Sequence, residues 1–295
     1  MLSILIPVYN YNITKLVSDL HEQGVNSLVD FEILVMEDGS TDFLEENMKV
    51  GELPYCRYLI SAKNMGRSGI RNKLADEARY RQLLFIDCDA EVCNPHFVEN
   101  YLAFRNEDCI VIGGTAYDPE EKNPDYSLRL AYGREREACP AKDREKRKYN
   151  NLATFNFLIS KSIFEQVRFD ETIRGYGHED TLFGHQLHKL GYEFIQIENP
   201  LIHRGLDDNE TFLRKTKEAV RSLYLLYETG RYPFLAEESR LLYNYLRLRK
   251  MKLCGLMSWV YKRSKKRLEE KLFSASPSLF DYDLYKLLYL CNVTR

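Results

Sequence analysis

Two aspartates, Asp87 and Asp89, stand one residue apart at the end of the apolar run in LLFIDCDAEV, Leu83 to Val92. Ionised carboxylates that close repel each other, which implies a cation between or beside them. Hard oxygen ligands suit Mg²⁺ or Mn²⁺, ions that keep several waters and complete their shells with phosphate oxygens. Turns and helix N-termini use the same residues, so the pair alone leaves both readings open. Its position after four strand-forming residues favours the ion.

Other segments carry residues of the same kind. In MEDGSTD, the helix-capping role belongs more naturally to Ser40, Thr41 or Asp42, which leaves Asp38 free to accept hydrogen bonds from a base or ribose. KNMGRSGIRN combines glycines that permit close backbone approach with Lys63, Arg67 and Arg71, and Arg71 suits a nucleotide or a surface ion pair. In RGYGHED, Gly175 and Gly177 flank Tyr176 in a turn, and Glu179 and Asp180 open the next helix. Acidic residues in a first turn are stabilised by the helix dipole. The alternative is a general base aimed from a glycine-rich loop, which needs a suitable pKa and geometry. His203, in LIHRG, offers an imidazole to a metal or to the core. His178, His185 and His188 are close in sequence but lack an HExxH spacing, so no zinc site is read there. The chain has no GxxxxGK[ST] loop, no complete GxGxxG and no GxSxG elbow.

The elements that must position these residues alternate. SILIPVY reads as a strand ending at Pro7, FEILVMED as a second, CRYLIS as a third, QLLFIDCD as a fourth and DCIVIGG as a fifth. Helical stretches separate them, including GIRNKLADEA and PHFVENYLAF. Continuous apolar strands alternating with helices predict a mostly parallel α/β sheet covered on both faces. Ligands of such sheets sit beyond the carboxyl ends of the strands, where Asp38, Asp87 and Asp89 all fall. From Ala116 to Asn151 the pattern dissolves into a charged segment, read as a lid or as a solvated, partly helical excursion. Order returns with LATFNFLISKSIFEQV, and the chain turns helical beyond about Asp207.

A net charge of −2 over 295 residues gives no general attraction to nucleic acid. Neither a secretory signal nor an apolar run of about 20 residues is evident. Seven cysteines without a CxxC pair read as reduced thiols of a cytoplasmic protein.

In order and spacing, SILIPVYN, EILVMEDGSTD, KNMGRSGIRN and LLFIDCDAEV resemble the N-terminal half of a family 2 glycosyltransferase with the GT-A fold. The stretch from FNFLISKSIF to HQLHKLGYEF resembles the C-terminal region of galactosyl- and N-acetylgalactosaminyltransferases. The resemblance implies a catalytic domain over 1–206, with a nucleotide-sugar half to about 115 and an acceptor half after it, then a helical extension over 207–295. It implies a UDP-sugar donor, a glycan or lipid-linked saccharide acceptor, Mn²⁺ or Mg²⁺, and inversion at the anomeric carbon. Carried over by residue, Pro7, Tyr9, Asp38, Asn64, Gly66, Arg71, Asp87 and Cys88 bind the nucleotide. Asp89, Asp87 and His203 hold the metal, Asp180 is the base with Glu179 beside it, and Gly175, Tyr176 and Gly177 face sugar or acceptor. One departure is the tryptophan that those transferases carry before the glycine turn, because the only tryptophan here is Trp259. Tyr176 inside Gly-Tyr-Gly is the aromatic available to stack on sugar.

Two further readings compete: a nucleotidyltransferase that makes a sugar nucleotide, and an inert glycan-binding protein on the same fold. Between Arg247 and Arg267 nine Lys or Arg residues occur with no acidic one, around LCGLMSWVY. That segment suits either a helix packed on the catalytic domain or peripheral contact with an anionic membrane.

Overall fold

The computed structural model describes residues 1–146, 152–173 and 176–294. Seven strands form the main sheet in the order β3-β2-β1-β4-β8-β6-β9. They are β1 (Leu2–Val8), β2 (Phe31–Asp38), β3 (Cys56–Ser61), β4 (Gln82–Ile86), β6 (Ile110–Ile112), β8 (Asn156–Ser160) and β9 (Phe194–Gln196). A second sheet, β5-β10-β7, joins β5 (Ala90–Glu91), β10 (Leu201–His203) and β7 (Thr115–Ala116).

The first four strands pair in parallel. β8 is antiparallel to both β4 and β6, and β9 returns parallel to β6. The arrangement is the mostly parallel mixed sheet expected from the alternating pattern. The reversal at β8 has no periodicity signal, since a strand entered after a long excursion can run either way.

Continuous apolar runs are needed where both faces of a strand are buried, as in β1, β2, β4, β6 and β8. With a side-chain period of two, Ile4, Ile6, Val8, Leu84 and Ile86 pack on one face with Leu16, Leu20 and Phe97. Leu5, Leu34, Leu83 and Phe85 pack on the other with Ile70, Leu74 and Phe164. Phe85 stacks on Phe157 at 5.0 Å across the β4–β8 pair.

Pro7 does not end β1, as the sequence suggested; the strand runs on to Val8. Pairing between β1 and β4 stops at Leu5 and Phe85, while β2 accompanies β1 to Val8. Pro7 therefore lies where no β4 partner remains, and its missing N–H leaves that side of the ladder intact. The gap between β1 and β4 opens at their carboxyl ends.

The chain divides into two compact units. The sheet unit comprises Met1–Asp118, Arg136–Ile173 and Glu179–Gly205. The other holds Pro119–Glu135, the described part of 174–178, and the chain from Leu206 onward. Much of the charged excursion is helical rather than open loop, with Ser127–Tyr132 burying Leu128 and Leu130, and Ala141–Arg144 burying Arg144.

The C-terminal unit contains helices Asn209–Glu228, Arg240–Lys250, Cys254–Leu272 and Leu279–Val293. Three of them begin at side-chain caps supplied by Asp208, Ser239 and Ser278. Its tyrosines form much of its interior: Tyr245, Tyr261, Tyr282 and Tyr285 are buried. No helix among the described residues is long and apolar enough to cross a membrane.

Candidate active site

β4 ends at Ile86, and the next three residues turn at its carboxyl end into β5. Cys88 packs against the core below, and burial pushes its thiol up, with the charges of Asp89 and Asp87 adding to that shift. Its side chain thus serves packing.

Asp87 and Asp89 have different partners. Arg71 Nη2 donates to Asp87 Oδ1 at 2.6 Å. Arg71 lies in the helix Gly66–Glu77, is 4% exposed, and has its guanidinium 5.6 Å from the Phe169 ring. Among the described residues, its Nε and Nη1 are buried with no hydrogen-bond partner. Unpaired buried donors on a cation are costly, and a bound anion is a natural acceptor for them.

Asp89 meets His203, whose Nε2 lies 2.9 Å from Asp89 Oδ2. The small sheet makes this contact, since β10 pairs antiparallel with β5 and sets His203 opposite Ala90. Arg204 N–H donates to the Asp89 carbonyl at 2.8 Å. Arg204 also closes on Glu91 and on Asp118, the latter at 2.6 Å, and so pins the end of β10. Tyr117 and Phe155 hold the His203 ring edge to face, with centroids at 5.7 and 5.2 Å. Burial disfavours the charged form of Asp89, but the hydrogen bond and charge of His203 outweigh it and hold the carboxyl below its usual range. Tyr11 is pushed up to about 12, first by burial and then by the nearby charge of Asp89.

Asp89 and His203 fit a hard divalent ion. Two donors on adjacent corners of an octahedral ion stand about 3 Å apart when the bonds are about 2.1 Å long. The observed 2.9 Å suits both a hydrogen bond and a shared ion. Gly205 completes the cradle, because a Cβ there would lie 2.3 Å from Asp89 Oδ2. The expected trio is not assembled, however. No three His, Cys, Asp or Glu side chains gather around one point among the described residues, and Asp87 is taken by Arg71. An ion held by these two groups would complete its shell with water or ligand oxygens.

Asp38 is not free at its strand tip. Its carboxylate accepts the Met65 N–H at 2.6 Å and the Gly66 N–H at 3.0 Å, and its carbonyl accepts the Asn64 amide at 2.9 Å. Burial raises its pKa, while the two N–H groups pull it back. Gly66 takes φ of +76°, which glycine adopts without strain, and opens the helix carrying Arg71.

The expected capping of the next helix by Ser40, Thr41 or Asp42 does not occur. Phe43 occupies the cap of Leu44–Met48 with no side-chain hydrogen bond. The loop is fixed instead by groups that sequence reasoning passed over. Ser40 accepts the Asn10 N–H and donates to Glu37, while Asn10 Oδ1 accepts the Thr41 N–H at 2.7 Å. Buried Asn47 accepts the Ile13 N–H and donates to the Tyr11 carbonyl and Glu37. Tyr9 stands 56% exposed at the mouth of the β1–β4 gap, next to Asn10. The only sequence sign of this network is an excess of amide residues after β1.

Glu179 is buried at the start of the helix Glu179–Lys189, and Arg67 Nη1 reaches it at 3.4 Å. Arg67 also helps hold the Asp89 carboxyl down, so its charge is felt at both positions. Asp180 accepts the Thr181 N–H at 2.7 Å. Gly177 (φ +88°) and Tyr176 belong to the C-terminal unit, with Lys215 Nζ 5.6 Å from the Tyr176 ring centre. Gly175 lies outside the described residues.

The sequence profile of Glycosyl transferase family 2 matches residues 3–168, from β1 to just beyond β8. This chain belongs to that family. Family 2 membership agrees with the sequence resemblance and sets aside the nucleotidyltransferase reading. EpsH of Bacillus subtilis (strain 168), a glycosyltransferase by assignment, is 27% identical over 251 residues, or 81% of this chain and 70% of EpsH. Chondroitin synthase of Escherichia coli is 23% identical over 235 residues, 68% of this chain but only 34% of the synthase.

Among solved structures, the mannosyltransferase PcManGT of Pyrobaculum calidifontis, in complex with GDP-Man and Mn²⁺, aligns with a TM-score of 0.62 at 13% identity. That alignment covers 99% of this chain and 86% of PcManGT. TarS 1-349 of S. aureus aligns at 0.53 with 18% identity, over 98% of this chain and 90% of TarS 1-349. These likenesses show the fold, a GT-A architecture with C-terminal helices.

Proposed function

We propose that this glycosyltransferase moves a sugar of the Gal, GalNAc, GlcNAc or Glc class from a UDP-sugar to a hydroxyl of a glycan or lipid-linked saccharide, with inversion, in polysaccharide biosynthesis. The 2.9 Å approach of Asp89 to His203, built by the register of β5 and β10, carries the reading. Mn²⁺ or Mg²⁺ held by Asp89 and His203 would neutralise the diphosphate leaving group. Support comes from PcManGT with GDP-Man and Mn²⁺, and from TarS 1-349 in complexes with UDP and with UDP-GlcNAc.

In this reading the chain's own groups do the rest. Arg71, fixed by Asp87, offers Nε and Nη1 to the nucleotide. Pro7, Tyr9 and the loop of Asp38, Asn64 and Gly66 line the nucleoside side, and the backbone at Cys88 joins them. Asp180 takes the proton of the attacking hydroxyl on the face opposite the leaving group, which inverts configuration in one displacement. Glu179, held by Arg67, orients the acceptor.

The test is calorimetric titration of UDP, with and without Mn²⁺, into wild type, Asp89→Ala and His203→Ala. Expected is Mn²⁺-dependent binding that either substitution weakens by at least about ten-fold. Binding that ignores Mn²⁺, or survives both substitutions, overturns the site.

A further inference from the structure

The helices Arg240–Lys250 and Cys254–Leu272 are joined by a tight turn in which Lys252 takes φ of +61°. Around it Met251, Leu256 and Trp259 are each more than half exposed, and Leu253 is partly so. Helical spacing accounts for the arrangement on the second helix. Ser258, Tyr261, Leu268 and Leu272 are its buried stripe, whereas Leu256, Trp259, Arg263 and Lys266 follow one another on the opposite side.

Charge is distributed to match. Arg247 and Lys250 precede the turn, Lys252 lies in it, and Lys262, Arg263 and Lys266 follow the apolar tip. Among the described residues, none of these six has a carboxylate within ion-pair distance; in this region only Arg249 and Lys265 do, with Glu228 and Glu269. An exposed tryptophan and leucines beside a helical turn, with cations that lack carboxylate partners before and after them, are the parts an interfacial helix uses on anionic lipid. A second copy of the chain is a poorer occupant, since a two-fold contact would bring the same cations face to face. Nucleic acid would leave the apolar tip exposed to water.

We infer that this helical hairpin docks on the surface of an anionic bilayer, inserting Trp259, Leu256 and Met251 among the headgroups while the basic collar pairs with lipid phosphates. The inference extends the reading of a lipid-linked acceptor, because it would hold the enzyme at the surface that displays such a substrate.

Trp259 is the only tryptophan, so the unmodified protein carries its own reporter. The experiment adds vesicles of phosphatidylcholine, alone or with phosphatidylglycerol, and follows Trp259 emission and co-sedimentation with no donor present. A blue shift and sedimentation only with phosphatidylglycerol, reversed by salt, are expected. Lys262→Ala and Arg263→Ala should each lower vesicle affinity about five-fold. Leu256→Ser should lower it while leaving the thermal midpoint unchanged.

Lack of any emission shift with anionic vesicles overturns the inference, and so does equal binding to neutral ones. Concentration-dependent self-association that shifts Trp259 without lipid, and is lost in the same variants, would assign the face to a second copy instead. A protein that binds UDP with Mn²⁺ yet ignores vesicles sinks the docking and leaves the transfer reading standing. The reverse result sinks the transfer reading alone.

Discussion

Asp89 and His203 lie 114 positions apart and meet at 2.9 Å because a two-residue strand, β5, starts directly after Asp89 and pairs with β10 in antiparallel register. The proposed donor-side site thus depends on a sheet too small to attract notice in the sequence.

Gly205 tests that dependence. A Cβ at this position would sit 2.3 Å from the Asp89 carboxylate and 2.6 Å from its Cβ. Gly205→Ala should displace the carboxylate and cost about 1–3 kcal/mol in stability. It should also cost about 100-fold in turnover, as expected for a misplacement on the order of 1 Å. Thermal unfolding beside sugar-transfer rates decides it: activity lost in proportion to folded protein alone would remove any special role for this glycine.

Arg71 and Asp87 form the other anchor. Removing the guanidinium in Arg71→Met leaves Asp87 without its ionic partner. Because Asp87 is 31% exposed, about 2 kcal/mol is expected rather than the full cost of a buried orphan charge. Adding Asp87→Asn should recover part of that stability but not UDP affinity, and Arg71→Lys should rescue neither fully. Chemical denaturation and UDP calorimetry on wild type, Arg71→Met, Asp87→Asn, the double variant and Arg71→Lys would expose additive, unlinked effects if the pair is not a unit.

Acid should act through Asp89. Its carboxyl titrates lower in the folded chain than in the unfolded one, so the unfolded state binds more protons as pH falls into that interval. Its stabilisation is present above the ordinary carboxyl value of about 4 and fades as pH drops through the lowered value. The stability gap between wild type and Asp89→Asn should therefore be flat near neutrality and close below about pH 4. A gap that widens in acid contradicts the sign.

Asn47 should matter out of proportion to its distance from the carboxylates. Asn47→Ala strands the Ile13 N–H and the Tyr11 carbonyl in a buried setting and takes one donor from Glu37. A loss of about 3 kcal/mol is expected, with weaker nucleotide binding as the loop after β1 loosens. Urea unfolding gives the first number and UDP titration the second.

What the sequence made legible follows from periodicity and strand ends. The run FEILVMED coincides with β2 because a strand buried on both faces is largely apolar, while CRYLIS coincides with β3, a half-buried strand at the edge of the sheet. Asp38, Asp87 and Asp89 were read at carboxyl ends, and there they lie. Their partners were not legible. Asp38 looked unengaged because the groups it binds are backbone N–H of Met65 and Gly66, which every residue but proline possesses. The cap at Phe43 and the antiparallel entry of β8 are tertiary outcomes that override local preference. Gly205 carried one hint, a small residue two places after His203, but its use is visible only once β10 lies beside β5.

The three-stranded sheet also has a consequence in time. Asp87 and Asp89 leave the ribosome with the first third of the chain, and the strands on their amino-terminal side can already pair. β10 and Gly205 follow more than a hundred residues later. Because contacts of long sequence separation form last and domains assemble as they emerge, the growing chain of 295 residues carries its acidic pair through a further 114 positions before His203 is made. If Asp89 and His203 hold the metal as proposed, a nascent chain built this way would stay silent toward its donor until the sheet unit has been made in full.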